Sequence, residues 1–235
     1  MNLLETRHLS KNFDGLQAVD DVSFAVPAGQ VRALIGPNGA GKTTLVGMIS
    51  GRIEPSTGQV FFDGSNITDL PAHTRILRGM AYTFQITSVF ERLPVGENVA
   101  LAARRHFKPE RVDEEVHDAL NRVGLLPLID QEAGDLSYGH QRLLEIAMGL
   151  VQHPRLLILD EPTQGLTEGE ITGFKKLVRE LAGDTTILLI EHNMNVVMET
   201  ADQVTVLNFG RVLAEGAPDE ILIDAAVQAA YLGTP

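Results

Sequence analysis

Gly36-Pro37-Asn38-Gly39-Ala40-Gly41-Lys42-Thr43 meets every fixed position of the spacing G-x-x-x-x-G-K-[ST]. Its flanks agree with it. QVRALI at 30–35 reads as a strand running into the glycine-rich turn, and Leu45, Met48 and Ile49 recur at helical spacing after it, with Gly51 just beyond. Such a loop leaves backbone N–H groups free to point inward around a phosphate, and the next helix turns its positive end toward the anion. Lys42 is then expected to reach the β- and γ-phosphates and the Thr43 hydroxyl to hold Mg²⁺, with Thr44 completing the ATP-binding run. The pattern predicts a nucleoside triphosphate site without choosing among kinases, GTPases and ATPases. No Asp has Gly three residues later and there is no Asn-Lys pair, so the switch and guanine-reading motifs of a GTPase are missing.

Further along the chain, LLILDE at 156–161 is four aliphatic residues ending in two acids. A buried strand delivers such carboxylates to the sheet edge where the phosphate loop lies. Asp160 is then placed to hold Mg²⁺ through water, and Glu161 to polarise the water that attacks the γ-phosphate. A second aliphatic strand, TTILLIEH at 185–192, ends at His192, which reads as a γ-phosphate sensor. Gln85 closes a further strand-like run at 80–84 and is a candidate for Mg²⁺ or the attacking water.

Between the phosphate loop and LLILDE the chain changes character. Helix-like runs at 95–105, 111–123 and 141–152 fill the stretch from 88 to 153, with little that resembles a strand. After it, strands and helices alternate again: LLILDE, a helix around 168–181, TTILLIEH, a short helix and a strand at 203–207. Continuous apolar strands separated by helices predict a mainly parallel sheet covered on both faces. The expected fold is α/β: a P-loop core at 1–87 and 154–235, with an antiparallel β portion near the N-terminus and an inserted α-helical subdomain at 88–153.

Composition narrows the function classes. The 235 residues carry 19 basic against 31 acidic side chains, a formal charge of −12, which opposes nucleic acid as a partner. No apolar run approaches the roughly 18–20 residues that cross a bilayer. MNLLETRHLS at the N-terminus has Glu5 and no apolar stretch, so no secretory signal is expected. Cysteine is absent, which excludes disulfides and thiol catalysis.

With these residues in place, the chain resembles the ATP-binding subunits of ABC transporters over essentially its full length. The deciding stretch is Leu136-Ser137-Tyr138-Gly139-His140, similar to the family signature LSGGQ and leading into a helix and LLILDE in the family's order. The resemblance implies that this segment binds the γ-phosphate held by another subunit, so that two subunits close head to tail around two ATP molecules. It also implies that Phe13 stacks on adenine, that Gln85 is the Q-loop glutamine, that residues 86–93 face a membrane partner, that 163–167 is the D-loop, and that His192 is the switch histidine. Tyr138 and His140 depart from the signature, and Thr167 replaces the usual acidic residue. The helix LEIAMGL and the ending AAYLG resemble the branched-chain amino acid and urea/amide uptake group. The resemblance therefore implies an ATPase at the inner face of the cell membrane, cytoplasmic and peripheral, partnered by a second copy or paralogue, integral permease subunits and a solute-binding protein. A soluble ABC ATPase of DNA-repair or translation type, or a regulatory ATP-binding subunit, is the alternative.

Overall fold

The computed structural model describes residues 1–83 and 88–232. The chain opens with two long strands, β1 (Asn2–Phe13) and β2 (Leu16–Pro27), which pair antiparallel; β4 (Thr57–Phe62) and β5 (Ser65–Asn66) extend that sheet in the order β2-β1-β4-β5. A second sheet holds β3 (Val31–Ile35), β6 (Met80–Thr83), β7 (Leu156–Asp160), β8 (Thr186–Ile190), β9 (Gln203–Asn208) and β10 (Arg211–Gly216), in the order β10-β9-β3-β8-β7-β6. Its pairs β9/β3, β3/β8, β8/β7 and β7/β6 are parallel, and among the described residues only β10 joins antiparallel.

The aliphatic strands are continuous because both of their faces are buried. Leu157, Leu159, Ile187 and Leu189 enter one core cluster together with helix residues such as Val99, Val116, Leu144 and Phe174. Their neighbours Leu156, Ile158, Leu188 and Ile190 enter a second cluster, with Leu45 and Met48 of α1 (Lys42–Ser50) and the inward residues of the antiparallel sheet. Two residues per pleat thus go to opposite cores, the geometry expected of a covered parallel sheet.

Helices α2 (Ala72–Leu77), α3 (Val95–Ala103), α4 (Pro109–Arg122), α5 (Tyr138–Leu150), α6 (Glu168–Leu181), α7 (Met194–Thr200), α8 (Pro218–Ile223) and α9 (Ala225–Leu232) complete the described elements, with short 3₁₀ turns between α4 and α5. α6 covers the residues read from the sequence, and its start has a capping box between Thr167 and Glu170. α5 begins three residues before the run at 141–152. The Ser137 side chain accepts the His140 N–H and caps the helix, so the signature forms its first turn. Among the described residues no helix is long and apolar enough to cross a membrane.

Arg75, 1% exposed, holds the far end of α1 in place. Its guanidinium donates to the carbonyls of Met48 and Ile49 at 2.7 Å each, and to Thr68 and Leu70 at 2.7 and 2.8 Å. Carbonyls at a helix end lack intrahelical partners, and here a buried arginine supplies them.

Candidate functional site

The phosphate loop is a backbone structure before it is a binding site. Gly36, Gly39 and Gly41 have φ of 148°, 79° and 99°. A Cβ on Gly36 would lie 2.2 Å from the Leu207 carbonyl oxygen, and one on Gly41 2.4 Å from that of Ala18. At Gly36 and Gly41 glycine is therefore required twice over, by φ and by the close approach of neighbouring backbone, and at Gly39 by φ alone. The loop is closed by Ala40 N–H on the Pro37 carbonyl (3.1 Å) and tied to the β9–β10 turn by Gly210 N–H on the Ala40 carbonyl (3.0 Å). Gly41 is the N-cap of α1, so the helix's positive end meets the loop.

A cleft of about 320 Å³ lies over this loop. It is lined by Asn38, Gly39, Ala40, Gly41, Lys42, Thr43 and Thr44, by Leu16, Gln17 and Ala18 of β2, and by Glu161. Residues more than a hundred positions apart thus meet in one cleft, with β2 of the first sheet on one side and the residue after β7 of the second on another. Lys42 is 8% exposed, and its Nζ donates to the carbonyls of Gly36 (2.6 Å) and Pro37 (3.2 Å). Burial lowers its pKa, while Glu161 and then Asp160 oppose that shift. Glu161 holds a left-handed φ of 49°, unusual outside glycine, and its N–H donates to the Ile190 carbonyl at 2.9 Å. His8, Asp14, Asp21, Asp63, His153 and Phe209 share such a φ, and what sets Glu161 apart is that it lines the cleft.

Asp160, the last residue of β7, is 3% exposed. Burial is the main cause raising its carboxyl pKa; the Tyr82 hydroxyl, donating to Oδ2 at 2.5 Å, opposes it. Thr43, at the start of α1, and Asp160 offer a hydroxyl and a carboxylate. That sparse oxygen set suits Mg²⁺, which keeps several waters and takes its remaining ligands from substrate phosphates. A dedicated protein cage would look different, and among the described residues no cluster of three or more His, Cys, Asp or Glu forms one.

Asp160 is not part of the cleft lining but sits buried one residue before Glu161, which is, and other sequence-predicted residues also stand apart from the lining. Phe13 is exposed at the end of β1, with Lys11 Nζ 5.1 Å from its ring centroid, and Leu16–Ala18 form the wall on that side instead. His192 is exposed just beyond β8. Gln85 lies outside the described residues. Leu136, Ser137, Tyr138, Gly139 and His140 do not line the cleft; they form the start of α5. There Tyr138 packs on the 163–167 loop, where a Cβ on Gly165 would lie 2.9 Å from its Cε1.

Glu191 is the residue that sequence reasoning passed over. It is fully buried, and its Oε1 accepts the Thr163 N–H (3.1 Å) and hydroxyl (2.5 Å), while Oε2 accepts the N–H groups of His192 (3.0 Å) and Asn193 (3.1 Å). One carboxylate therefore joins the loop after Glu161 to the backbone of His192. An acid at the end of an aliphatic strand, directly before the histidine, was the available signal.

Comparison with known proteins agrees with this layout. A sequence family described as ABC transporter matches residues 19–164, and one described as branched-chain amino acid ATP-binding cassette transporter matches 211–235. The high-affinity branched-chain amino acid transport ATP-binding protein BraF of Pseudomonas aeruginosa is 38% identical, over 98% of both chains. The lipopolysaccharide export system ATP-binding protein LptB of Haemophilus influenzae is 31% identical, over 99% of this chain and 98% of its own. A solved ATP-binding cassette of an ABC transporter, in its ADP conformation, shares the fold with a TM-score of 0.90 at 31% identity, over the whole of both chains.

Proposed function

The chain belongs to the ABC transporter family, and within that family we propose that it is the ATP-hydrolysing subunit of an uptake system for branched-chain amino acids or a related small polar solute. The observation that carries the ATPase reading is the cleft that gathers the phosphate loop, Lys42, Thr43 and Glu161. The uptake reading is supported by the match at 211–235 and by the relatives named for branched-chain amino acid transport.

In the proposed mechanism Gly36–Thr44 cradle the phosphates, and Lys42 exchanges its loop carbonyls for β- and γ-phosphate oxygens. Phe13, exposed and paired across the hairpin with Leu16 of the cleft wall, stacks on adenine. Thr43 and Asp160, with Gln85, hold Mg²⁺, which when bound neutralises charge on the phosphoryl oxygens. Glu161 orients the attacking water and accepts its proton. His192 and Lys42 stabilise charge on the γ-phosphoryl group.

The signature residues 136–140 serve the γ-phosphate of a second copy or paralogue, since they do not line their own chain's cleft. Residues 88–153 act as a helical subdomain carrying the signature, supported by the mutual packing of α3, α4 and α5, and 1–87 with 154–235 act as the catalytic core. Closure of the two subunits drives integral permease subunits, with a solute-binding protein in the same system, so the chain works as a cytoplasmic subunit on the inner face of the membrane.

A pull-down of tagged protein from mildly solubilised native membranes, read by mass spectrometry, tests the transport assignment. Polytopic membrane subunits and a solute-binding protein are the expected companions, and the solute that protein binds names the cargo. Recovery of only soluble or nucleic-acid-associated proteins would remove the transport assignment and leave the ATP chemistry standing.

A further inference from the structure

The two proposed metal-holding residues sit on different elements, Thr43 at the start of α1 and Asp160 at the end of β7. A bracket of side chains joins the far end of one to the other. Arg52, two residues past α1, donates from Nε to Ser50 Oγ at 3.1 Å and lays its guanidinium 4.0 Å from the centroid of the Tyr82 ring. Tyr82 in turn donates its hydroxyl to Asp160 Oδ2 at 2.5 Å.

The sheet explains why a tyrosine stands there. β6 and β7 are parallel, with Tyr82 beside Ile158, so Asp160 lies two residues further along on the same face. That offset is about 6.6 Å at roughly 3.3 Å per residue. A phenol spans it; a serine or threonine hydroxyl does not reach. The terminal torsion of an aspartate is broad, so a carboxylate at a strand end has no fixed oxygen orientation of its own. Asp160 is almost fully buried, where a carboxylate oxygen without a partner is costly.

We propose that Tyr82 is a positioning residue for catalysis: it commits one Asp160 oxygen to its hydroxyl and so fixes the other toward the magnesium side of the cleft. The proposal rests on the reading of Asp160 as a metal-holding residue. Arg52 and Ser50 brace the phenol from the end of α1, so the helix that presents Thr43 also steadies the partner of Asp160. No step of the reaction passes through Tyr82; it sets the geometry in which the metal is received.

The test is Tyr82→Phe, which keeps the ring beneath Arg52 and deletes the hydroxyl. Affinity for a non-hydrolysable ATP analogue is measured by calorimetry with Mg²⁺ and again with EDTA, for the wild type, Tyr82→Phe and Asp160→Asn. Tyr82→Phe is expected to match the wild type in EDTA and to bind roughly three- to ten-fold more weakly in Mg²⁺, the scale of one lost hydrogen bond. Asp160→Asn is expected to lose the magnesium-dependent gain. If Tyr82→Phe equals the wild type in both buffers, or weakens binding equally in both, the positioning role is wrong and the residue is a packing element. If the wild type gains nothing from magnesium, or Asp160→Asn keeps the gain, the reading of Asp160 itself fails, whatever Tyr82→Phe does.

Discussion

Replacing Glu161 by Gln is expected to cut steady-state ATP hydrolysis by roughly 10²- to 10⁴-fold, the scale of a lost general base, while ATP affinity stays near that of the wild type. Glutamine keeps the shape and the hydrogen-bonding reach of the glutamate but cannot take a proton from water. The backbone at this position is held by the N–H of residue 161 on the Ile190 carbonyl, a contact the substitution preserves. The left-handed φ is already borne by a side chain of the same branching, so no new strain enters. Phosphate release and equilibrium ATP binding, measured on the same preparation, check both halves of this expectation. Near-normal turnover would mean that another group activates the water.

The second large effect concerns the loop itself. Gly41→Ala forces a Cβ into the 2.4 Å approach to the Ala18 carbonyl at a φ of 99°, so the loop or β2 must shift. Left-handed backbone alone costs a non-glycine residue roughly 1–2 kcal/mol. The backbone collision adds to it, and both are borne where ATP is cradled. ATP affinity is expected to fall by about 100-fold, or some 2.7 kcal/mol. Gly39→Ala is the internal comparison. Its φ of 79° brings the same kind of strain, but a Cβ there meets nothing within 4 Å. Its loss of affinity is expected to be about tenfold smaller than that of Gly41→Ala. Equal losses for the two would show that φ strain, not the approach to Ala18, governs the loop.

What can be read from the chain is what short-range pattern encodes. The phosphate loop, LLILDE and TTILLIEH announce themselves because a glycine turn, two acids or a histidine come after an unbroken apolar strand. The helix at 168–181 is legible in its full extent because Thr167 and Glu170 form its cap locally. The long hairpin of β1 and β2 is not. Repeated register shifts along it break the two-residue alternation that marks a strand, and only its 22–26 portion alternates clearly. β10, an edge strand that is largely half-buried, gives an equally weak signal.

The site is legible as a set of residue types and less so as an arrangement. Lys42, Thr43 and Glu161 meet in one cleft, but β2 supplies a wall that no motif marks. Tyr82 and Asp160 are 78 residues apart, and Glu191 reaches back 28 residues to Thr163; both contacts depend on sheet order. Arg75 binding the end of α1 belongs to the same kind. Periodicity finds elements, while such contacts appear only once strands are placed side by side.

Closure of two copies on ATP, with each signature facing the other's cleft, underlies the whole proposed cycle. Its sharpest test is sedimentation equilibrium of the Glu161→Gln protein, in ATP with Mg²⁺ and separately in ADP. A mass about twice that of the 25.5 kDa chain is expected in ATP and a single chain in ADP. Ser137→Arg, which crowds the capped start of α5 without touching the cleft lining, is expected to abolish the ATP-dependent dimer. A single chain at saturating ATP, or a dimer that forms equally in ADP and survives Ser137→Arg, would contradict head-to-tail closure of two copies of this chain and leave closure only with a paralogue.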